Sequence, residues 1–543
     1  MTDSLVESQQ TASAAFATDA QPSSRQLAAI SPFFLRAIVF TGGLSSIGIE
    51  ISASRLIAPY FGDSTFIWAN IIGLTLTYLA LGYYLGGRVV DRFPRPWLLF
   101  TITGVAAFFA GLIPIVSRPI LTTSLEAFDE VAVGAFYGSL IGVLLLLAVP
   151  VTLFGFVTPF AIRLQIDDVQ AAGITAGNIY ALSTLGSIAG SFLPVLLLIP
   201  VFGTSRTFLI LSLTLLLLSL AGLLALRERW LAGGLAVMVG LLLLTVITAE
   251  AGQIKPPYRG ELVYETESEY NYIQVLKDDG AYMLALNEGH AVHSIYDPDE
   301  LLTRGPWDYF MVGPLFNAQA DERSVEDALI IGLAGGTAAR QLTAAYDDVQ
   351  IDGVEIDPEI VRIGEKYFAM DLPNLNAIVD DGRFFIRRSD QTYDLIGIDA
   401  YHQPYIPFQL TTREFFQEVS DRLNPNGVAV VNVGRHESDY RLVDVIASTM
   451  RDVYPHVYVI DVERFSNSMV IGTKSPTALS NFATNVSRLP TDSILRVVGE
   501  RSIAHGNIRE VESGGRVFTD DKAPVELVVD QIIIDAAREE NDP

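Results

Sequence analysis

Asp327-Ala-Leu-Ile-Ile-Gly-Leu-Ala-Gly-Gly-Thr-Ala-Ala-Arg340 begins as a short apolar run and ends in a cluster of small residues. Residues 327 to 332 predict a strand buried on both faces, because an uninterrupted apolar run bounded by glycine leaves no side for water. The small residues from Gly332 to Gly336 permit a tight strand-to-helix turn that brings backbone close to a ligand, and they make Gly332 and Gly335 candidate binding positions.

Moving outward, Val349-Gln-Ile-Asp-Gly-Val-Glu-Ile356 predicts a second strand whose end delivers Glu355, about twenty residues beyond the turn. An acid there can accept both hydroxyls of a ribose. Asp357-Pro358 predicts the start of the next helix, with Asp357 as N-cap and Pro358 at the first helical position. Ala377-Ile-Val-Asp-Asp-Gly-Arg383 predicts a third strand ending in Asp380, Asp381 and Gly382, a carboxylate-bearing tip suited to an adenine amino group. Tyr393-Asp-Leu-Ile-Gly-Ile-Asp399 predicts a fourth strand that carries Asp399 to the mouth of the site. Each acid alone also reads as a turn or cap residue. Strands alternating with amphipathic helices over 325 to 530 predict a Rossmann-like α/β domain with a parallel sheet, and ligands of such sheets sit at the carboxyl ends of the strands.

Further out, the composition changes. Of 543 residues 50% are hydrophobic and 18% charged, but 30 to 250 is almost continuously apolar. Apolar stretches at roughly 33–58, 65–87, 97–117, 133–160, 177–202, 207–226 and 230–249 each suffice to cross about 30 Å of hydrocarbon. A multi-pass α-helical membrane domain of six to eight spans is therefore expected, with seven as the direct count and the lipid bilayer as a partner. Residues 1–29 read as a disordered leader and 255–320 as a small β-hairpin domain. Arg88, Arg92 and Arg95 form the strongest basic loop and, with Arg227 and Arg229, mark the cytoplasmic side. Seven spans would then leave the C-terminal domain outside; a break hidden in 133–160 would change that count, and an adenosyl donor made in the cell argues for a cytoplasmic domain in a multi-pass cell-membrane protein. Glu50 and Arg55 in the first span read either as part of a substrate pathway or as structural pairs to other helices. Leu85-Gly-Gly-Arg-Val-Val-Asp-Arg92 resembles the turn between the second and third helices of major-facilitator transporters.

The net charge of −26 argues against nucleic acid as a partner. The absence of cysteine excludes disulfides, thiolate metal sites and cysteine nucleophiles, and the six histidines show no metal-ligand spacing.

The order of acid- and glycine-tipped strands resembles the spermidine synthase family of polyamine aminopropyltransferases, over roughly residues 260 to 530. Glu265-Thr-Glu-Ser-Glu-Tyr-Asn-Tyr-Ile-Gln-Val275 and Leu284-Ala-Leu-Asn-Glu-Gly-His290 look like that family's β-hairpin domain, and Asn271 stands where the family places a donor-contacting glutamine. Fusion to a transporter-like half resembles the membrane-bound subgroup. The resemblance implies transfer of an aminopropyl group from decarboxylated S-adenosylmethionine, a co-substrate rather than a tightly bound cofactor, to a small amine such as putrescine. It also puts Asn271, Gly332, Gly335, Glu355, Asp380, Asp381 and Gly382 at the donor, and leaves open a homodimer through the soluble domain.

The departures fall on the acceptor. The family's Asp after the third glycine matches Gly335, and the second Asp of its Asp-x-x-Asp-Pro loop matches His402 in Asp399-Ala-Tyr-His-Gln403. Its Tyr-His-Glu segment matches Trp307-Asp-Tyr309. Proton acceptance from the attacking amine would fall to His402, whose free imidazole titrates at about 6.5, with Asp399 as its partner in catalysis. Asp308, Asp399 and the Thr519-Asp-Asp521 segment are candidate sources of replacement charge, and Tyr401 and Tyr405 candidate flanks for a methylene chain. Two other readings stand beside this one: an S-adenosylmethionine-dependent methyltransferase, and a polyamine transporter or sensor whose nucleoside-binding domain does no chemistry.

Overall fold

The computed structural model describes residues 31–541 apart from 62–64, 129–133, 167–169, 171, 249–253, 288–290, 403, 437 and 505–507. The expected leader and His290 lie outside the described residues. The chain divides into two compact units, one helical and the other comprising 253–543 with the short segments 57–67 and 121–139.

The helices before residue 250 are α1 (Pro32–Phe61), α2 (Thr65–Arg92), α3 (Pro96–Phe128), α4 (Gly134–Phe154), α5 (Val157–Gln165), α6 (Ala172–Leu193), α7 (Thr204–Ala225) and α8 (Arg229–Thr248). Among the described residues six helices are long and apolar enough to cross a membrane, and a shorter apolar one covers Arg229–Thr245. The run at 133–160 contains a bend at Gly155 and Phe156, and 137–165 counts as one apolar helix, so it adds no crossing. Close approach of these helices is made by small residues. A Cβ on Gly82 would lie 2.1 Å from the Thr152 carbonyl, and Cβ atoms on Gly186 and Gly190 would lie 2.1 and 2.3 Å from the carbonyls of Phe40 and Leu44. Of the pair in the 85–92 stretch, Gly86 packs on Phe156 while Gly87 meets nothing within 4 Å, so only the first serves helix approach.

In the second unit a four-stranded antiparallel sheet runs β1 (Glu261–Glu267), β2 (Tyr272–Asp278), β3 (Ala281–Leu286), β4 (Val292–Tyr296), in that order. The larger sheet has β5 (Asp327–Ile331), β6 (Gln350–Glu355), β7 (Leu375–Val379), β8 (Tyr393–Ile398) and β9 (Leu423–Gly434), all parallel in the order β9-β8-β5-β6-β7. Beyond β9 lie β11 (Asn467–Thr473), β10 (His456–Asp461) and β12 (Ile508–Glu510), an antiparallel edge the sequence reading did not include.

The apolar runs are continuous because both faces are buried. Leu329, Ile331, Ile396 and Ile398 enter one core while Ala328, Ile330 and Leu395 enter the other. The small sheet packs on the large domain through Ile273, Val275, Leu284 and Leu286 against Ile360, Ile363 and Phe368. The chain leaves β5 toward β6 and β7 and returns on its other side as β8, which makes a switch point between β5 and β8 at the carboxyl ends of the strands.

Candidate active site

A cavity of about 690 Å³ opens at that switch point. Its floor is the turn after β5. Gly332 has φ +86, and a Cβ there would lie 2.4 Å from the Asp399 carbonyl, so only glycine lets the turn pass beneath the end of β8. Ile331, Gly332 and Ala334 line the cavity. Gly335 does not: its N–H donates to Ser294 Oγ at 2.8 Å, and a Cβ would press on Phe368 and Ser294. Gly335 therefore packs beneath the small sheet and is not among the residues lining the cavity, where the sequence reading placed it.

Glu355 closes one side. Its Oε2 accepts from the Ala334 N–H at 2.9 Å and its Oε1 from the Asp357 N–H at 3.1 Å, which fixes the carboxylate at the strand end. Burial raises its pKa to about 7, against the opposing effect of those backbone donors. Asp357 caps the next helix, α9 (Pro358–Tyr367), through the Glu359 N–H, and it also accepts from Asn271 Nδ2 at 2.9 Å. Asn271 is thereby oriented at the cavity wall.

Asp380, Asp381 and Gly382 also line the cavity. Asp381 accepts from the Phe384 N–H at 2.8 Å as N-cap of α10 (Gly382–Arg388), and Asp380 pairs with Arg388. Both acids thus have a structural task as well as a place in the wall. A Cβ on Gly382 would lie 2.3 Å from Ile331, which explains a glycine at the first position of that helix.

Asp399 is held from behind by Asn432 Nδ2 at 2.8 Å and by the Trp307 side chain, and burial lifts its pKa to about 7. His402 lines the cavity from a tight turn in which it exchanges backbone hydrogen bonds with Tyr405 at 2.8 and 3.0 Å. Facing it is His293, from β4. Burial and the neighbouring His402 lower the His293 pKa to about 4, and among the described residues its buried Nε2 has no hydrogen-bond partner. The sequence reading missed this residue because a histidine on a short strand carries no motif.

The cavity is also lined by Tyr401, Tyr405, Ile406, Pro407 and Phe408 and by Ala523 to Leu527, a mostly apolar set that includes Glu526. The two tyrosines therefore flank the cavity, although Tyr401 is pinned by bonds to the Asn432 carbonyl and the Gly434 N–H. Two proposed sources of replacement charge lie elsewhere. Asp308 is fully buried among Thr303, Arg304, Gln341 and Arg501, where it holds the β4-to-β5 connection together. Asp520 pairs with Arg383 and accepts from Thr412, and neither it nor Asp521 lines the cavity.

The arrangement offers an acidic ledge for vicinal hydroxyls, a junction bearing Asp399, His402 and His293, and a tyrosine-flanked apolar arm. Among the described residues no group of His, Asp and Glu is placed to hold a metal ion.

A model of the spermine/spermidine synthase domain matches residues 315–483. A probable polyamine aminopropyl transferase of Bifidobacterium longum is 34% identical over 299 residues, which cover 51% of this chain and 65% of that protein. A polyamine aminopropyltransferase of Vibrio vulnificus is 33% identical over 220 residues, covering 39% of this chain and 71% of that one. The chain thus spans just under two thirds of the first of these relatives. The crystal structure of a probable spermidine synthase from Corynebacterium glutamicum shares 21% identity with a TM-score of 0.39, covering 48% of this chain and 97% of that one.

Proposed function

This chain belongs to the spermine/spermidine synthase family, and from that premise we propose that it is a membrane-anchored aminopropyltransferase acting on a small amine. The observation that carries the reading is the single cavity in which the nucleoside-type ledge of Glu355, Asp380 and Asp381 meets the junction at Asp399 and His402. Decarboxylated S-adenosylmethionine is the donor. The ribose hydroxyls bond Glu355 and the base lies against Asp380 and Asp381, with Asn271 and Gly382 beside them.

The amine lone pair attacks the propyl carbon next to the sulfonium. A C–N bond forms while the C–S bond breaks, its electrons leave a neutral thioether nucleoside, and the nitrogen loses one proton. Such a displacement needs in-line positioning and a neutral amine. His402 accepts the proton, with Asp399 beside it; His293, held neutral, supplies a further acceptor for an N–H.

The purified full-length protein in detergent, given putrescine, is expected to release an aminopropylated amine with decarboxylated S-adenosylmethionine as donor. Methylated product from ordinary S-adenosylmethionine, or no product from either donor, would overturn the assignment.

The apolar helices lie in a lipid bilayer, and the family's chemistry favours an α/β domain on the cytoplasmic side, where the donor is made. That placement needs an even number of crossings, which the six long helices support. A seventh crossing by α8 would reverse it. Reporter fusions after residue 255 decide it: activity only outside the cell removes the cytoplasmic placement.

A further inference from the structure

Glu50 is the acid deepest within a span among the described residues of the six long apolar helices. It sits about 16 Å from the C-terminal end of α1 and about 27 Å from the other end, at 1.5 Å per residue. An ionised carboxylate at that depth is costly and ordinarily faces a partner or a polar space. From Ala37 to Leu56 no residue of α1 is exposed, so Glu50 is turned toward protein, and part of its surface stays accessible. Among the described residues no hydrogen bond or ion pair to its carboxylate is found, and Arg55, the cation nearest in sequence, makes its contacts elsewhere. Of the two sequence readings of Glu50, structural pairing with Arg55 is therefore excluded.

A second observation comes from the same face of the helix. Ser46 stands one turn before Glu50. It is 7% exposed, and its Oγ is buried with no hydrogen-bond partner among the described residues. Hydroxyls in these helices commonly donate to their own backbone, as Ser52 does to the Gly48 carbonyl at 2.7 Å and Thr103 to that of Leu99 at 2.8 Å. Ser46 does not. Thr75, Thr204, Ser212 and Ser219 share that state, but none of them has an acid one turn away. The neighbouring helix is irregular at the same level. Gly186 and Gly190 of α6 approach the carbonyls of Phe40 and Leu44, and a Cβ on Gly48 would lie 3.4 Å from Pro194 Cγ. Continued by two residues, this register sets Glu50 level with the π-helical turn Pro194–Leu198 that follows α6, a break in α-helical bonding frequently found at functional sites.

An enclosed carboxylate beside an unused hydroxyl calls for a cation. Among the described residues no group of His, Asp and Glu is placed to hold a metal ion, and a hard metal cation takes about six oxygens or more. A primary ammonium has three N–H donors, most of which one carboxylate and one hydroxyl can meet. We propose that Glu50 and Ser46 bind the ammonium group of a primary amine within the helical unit, and that the helices carry such amines across the bilayer through this site. Glu50 bears the countercharge, and Ser46 Oγ accepts one N–H. The inference rests on the membrane placement of the helices, and on the aminopropyltransferase reading only for the choice of amine. Neither residue lines the cavity of the α/β domain.

The test uses the full-length protein reconstituted into phosphatidylcholine vesicles, with labelled putrescine outside as the probe and aminopropyl transfer in detergent as the control. A protein that does not float with the vesicles overturns the membrane placement and the site together. Saturable uptake above that of empty vesicles is expected in the parent. Glu50→Gln is expected to lower uptake at least tenfold while transfer stays within threefold, Ser46→Ala to raise the putrescine KM for uptake about threefold, and Glu50→Asp to keep part of the flux. Parent uptake no greater than that of empty vesicles, or unchanged uptake in Glu50→Gln, would overturn the site. If Glu50→Gln loses both activities, the other two variants decide: full uptake in both overturns the site, and loss of uptake with transfer retained supports it. Uptake without transfer in the parent would end the function assignment and leave the site standing.

Discussion

At the strand-tip end of the cavity, Glu355, Asp380, Asp381 and Asp399 are held by backbone amides, Arg388 and Asn432. Elsewhere in its lining, among the described residues, no hydrogen-bond partner is found for the carboxylate of Glu526 from α11 (Val525–Asn541) or for the buried Nε2 of His293. The first end is a preorganised mould whose polar atoms are fixed before any ligand arrives, and this reduces the ordering cost of binding. The second retains unspent hydrogen-bonding capacity, the signature of a surface completed by its ligand. Within one cavity, rigidity belongs to the part proposed for the nucleoside and incompleteness to the part proposed for the amine.

The sharpest way to break this division is at the junction. His402→Ala is expected to lower turnover by about 10² to 10⁴, the range for loss of a general base, while donor affinity stays within threefold. Turnover within threefold of the parent would end the assignment of proton acceptance to His402.

A somewhat smaller effect, of a different kind, is expected at Asp308. This fully buried carboxylate, 3.0 Å from Arg501, belongs to neither end. Removing one member of a buried pair leaves the other charge uncompensated, so Asp308→Ala should destabilise the α/β domain by about 3–5 kcal/mol. Activity per folded molecule should remain. Thermal unfolding followed by kinetics at low temperature separates the two, and a specific loss of putrescine affinity would return Asp308 to the site.

The smallest change tests the mould itself. Glu355→Ala should weaken donor nucleoside binding at least tenfold, because losing a charge-assisted bond to the ribose costs about 1.5–3 kcal/mol. Since burial raises the Glu355 pKa from 4.5 to about 7, the ionised form is gained only as pH rises through neutrality. Parent affinity should therefore climb between about pH 6 and 8, and Glu355→Ala should lose that part of the climb. The stability effect has the opposite sign: the unfolded chain ionises this group from 4.5 upward while the folded one retains its proton to about 7, so its contribution declines across that window. Calorimetry showing unchanged affinity in the folded variant would remove Glu355 from the ribose.

The sequence by itself determined the two-part organisation, the apolar helices, the parallel core and the acid-bearing wall of the cavity. Glu355, Asp380, Asp381 and Asp399 all lie at the ends of apolar strands within one continuous stretch, and a strand's burial pattern fixes both its place in the sheet and the end at which its last side chain emerges. Gly335 shows the limit of that legibility, since a glycine-rich turn looks the same whether its N–H meets a ligand or Ser294. Asp308 and Asp520 show it again: an acid reads alike in sequence whether it faces a cavity or an arginine. Only the tertiary structure joined His293 of β4, Trp307 and Asn432 behind Asp399, and Glu526 of α11, to the loop at 399–410. These positions come from separate segments brought together by sheet and helix packing, and no local periodicity records which distant surface a side chain will meet.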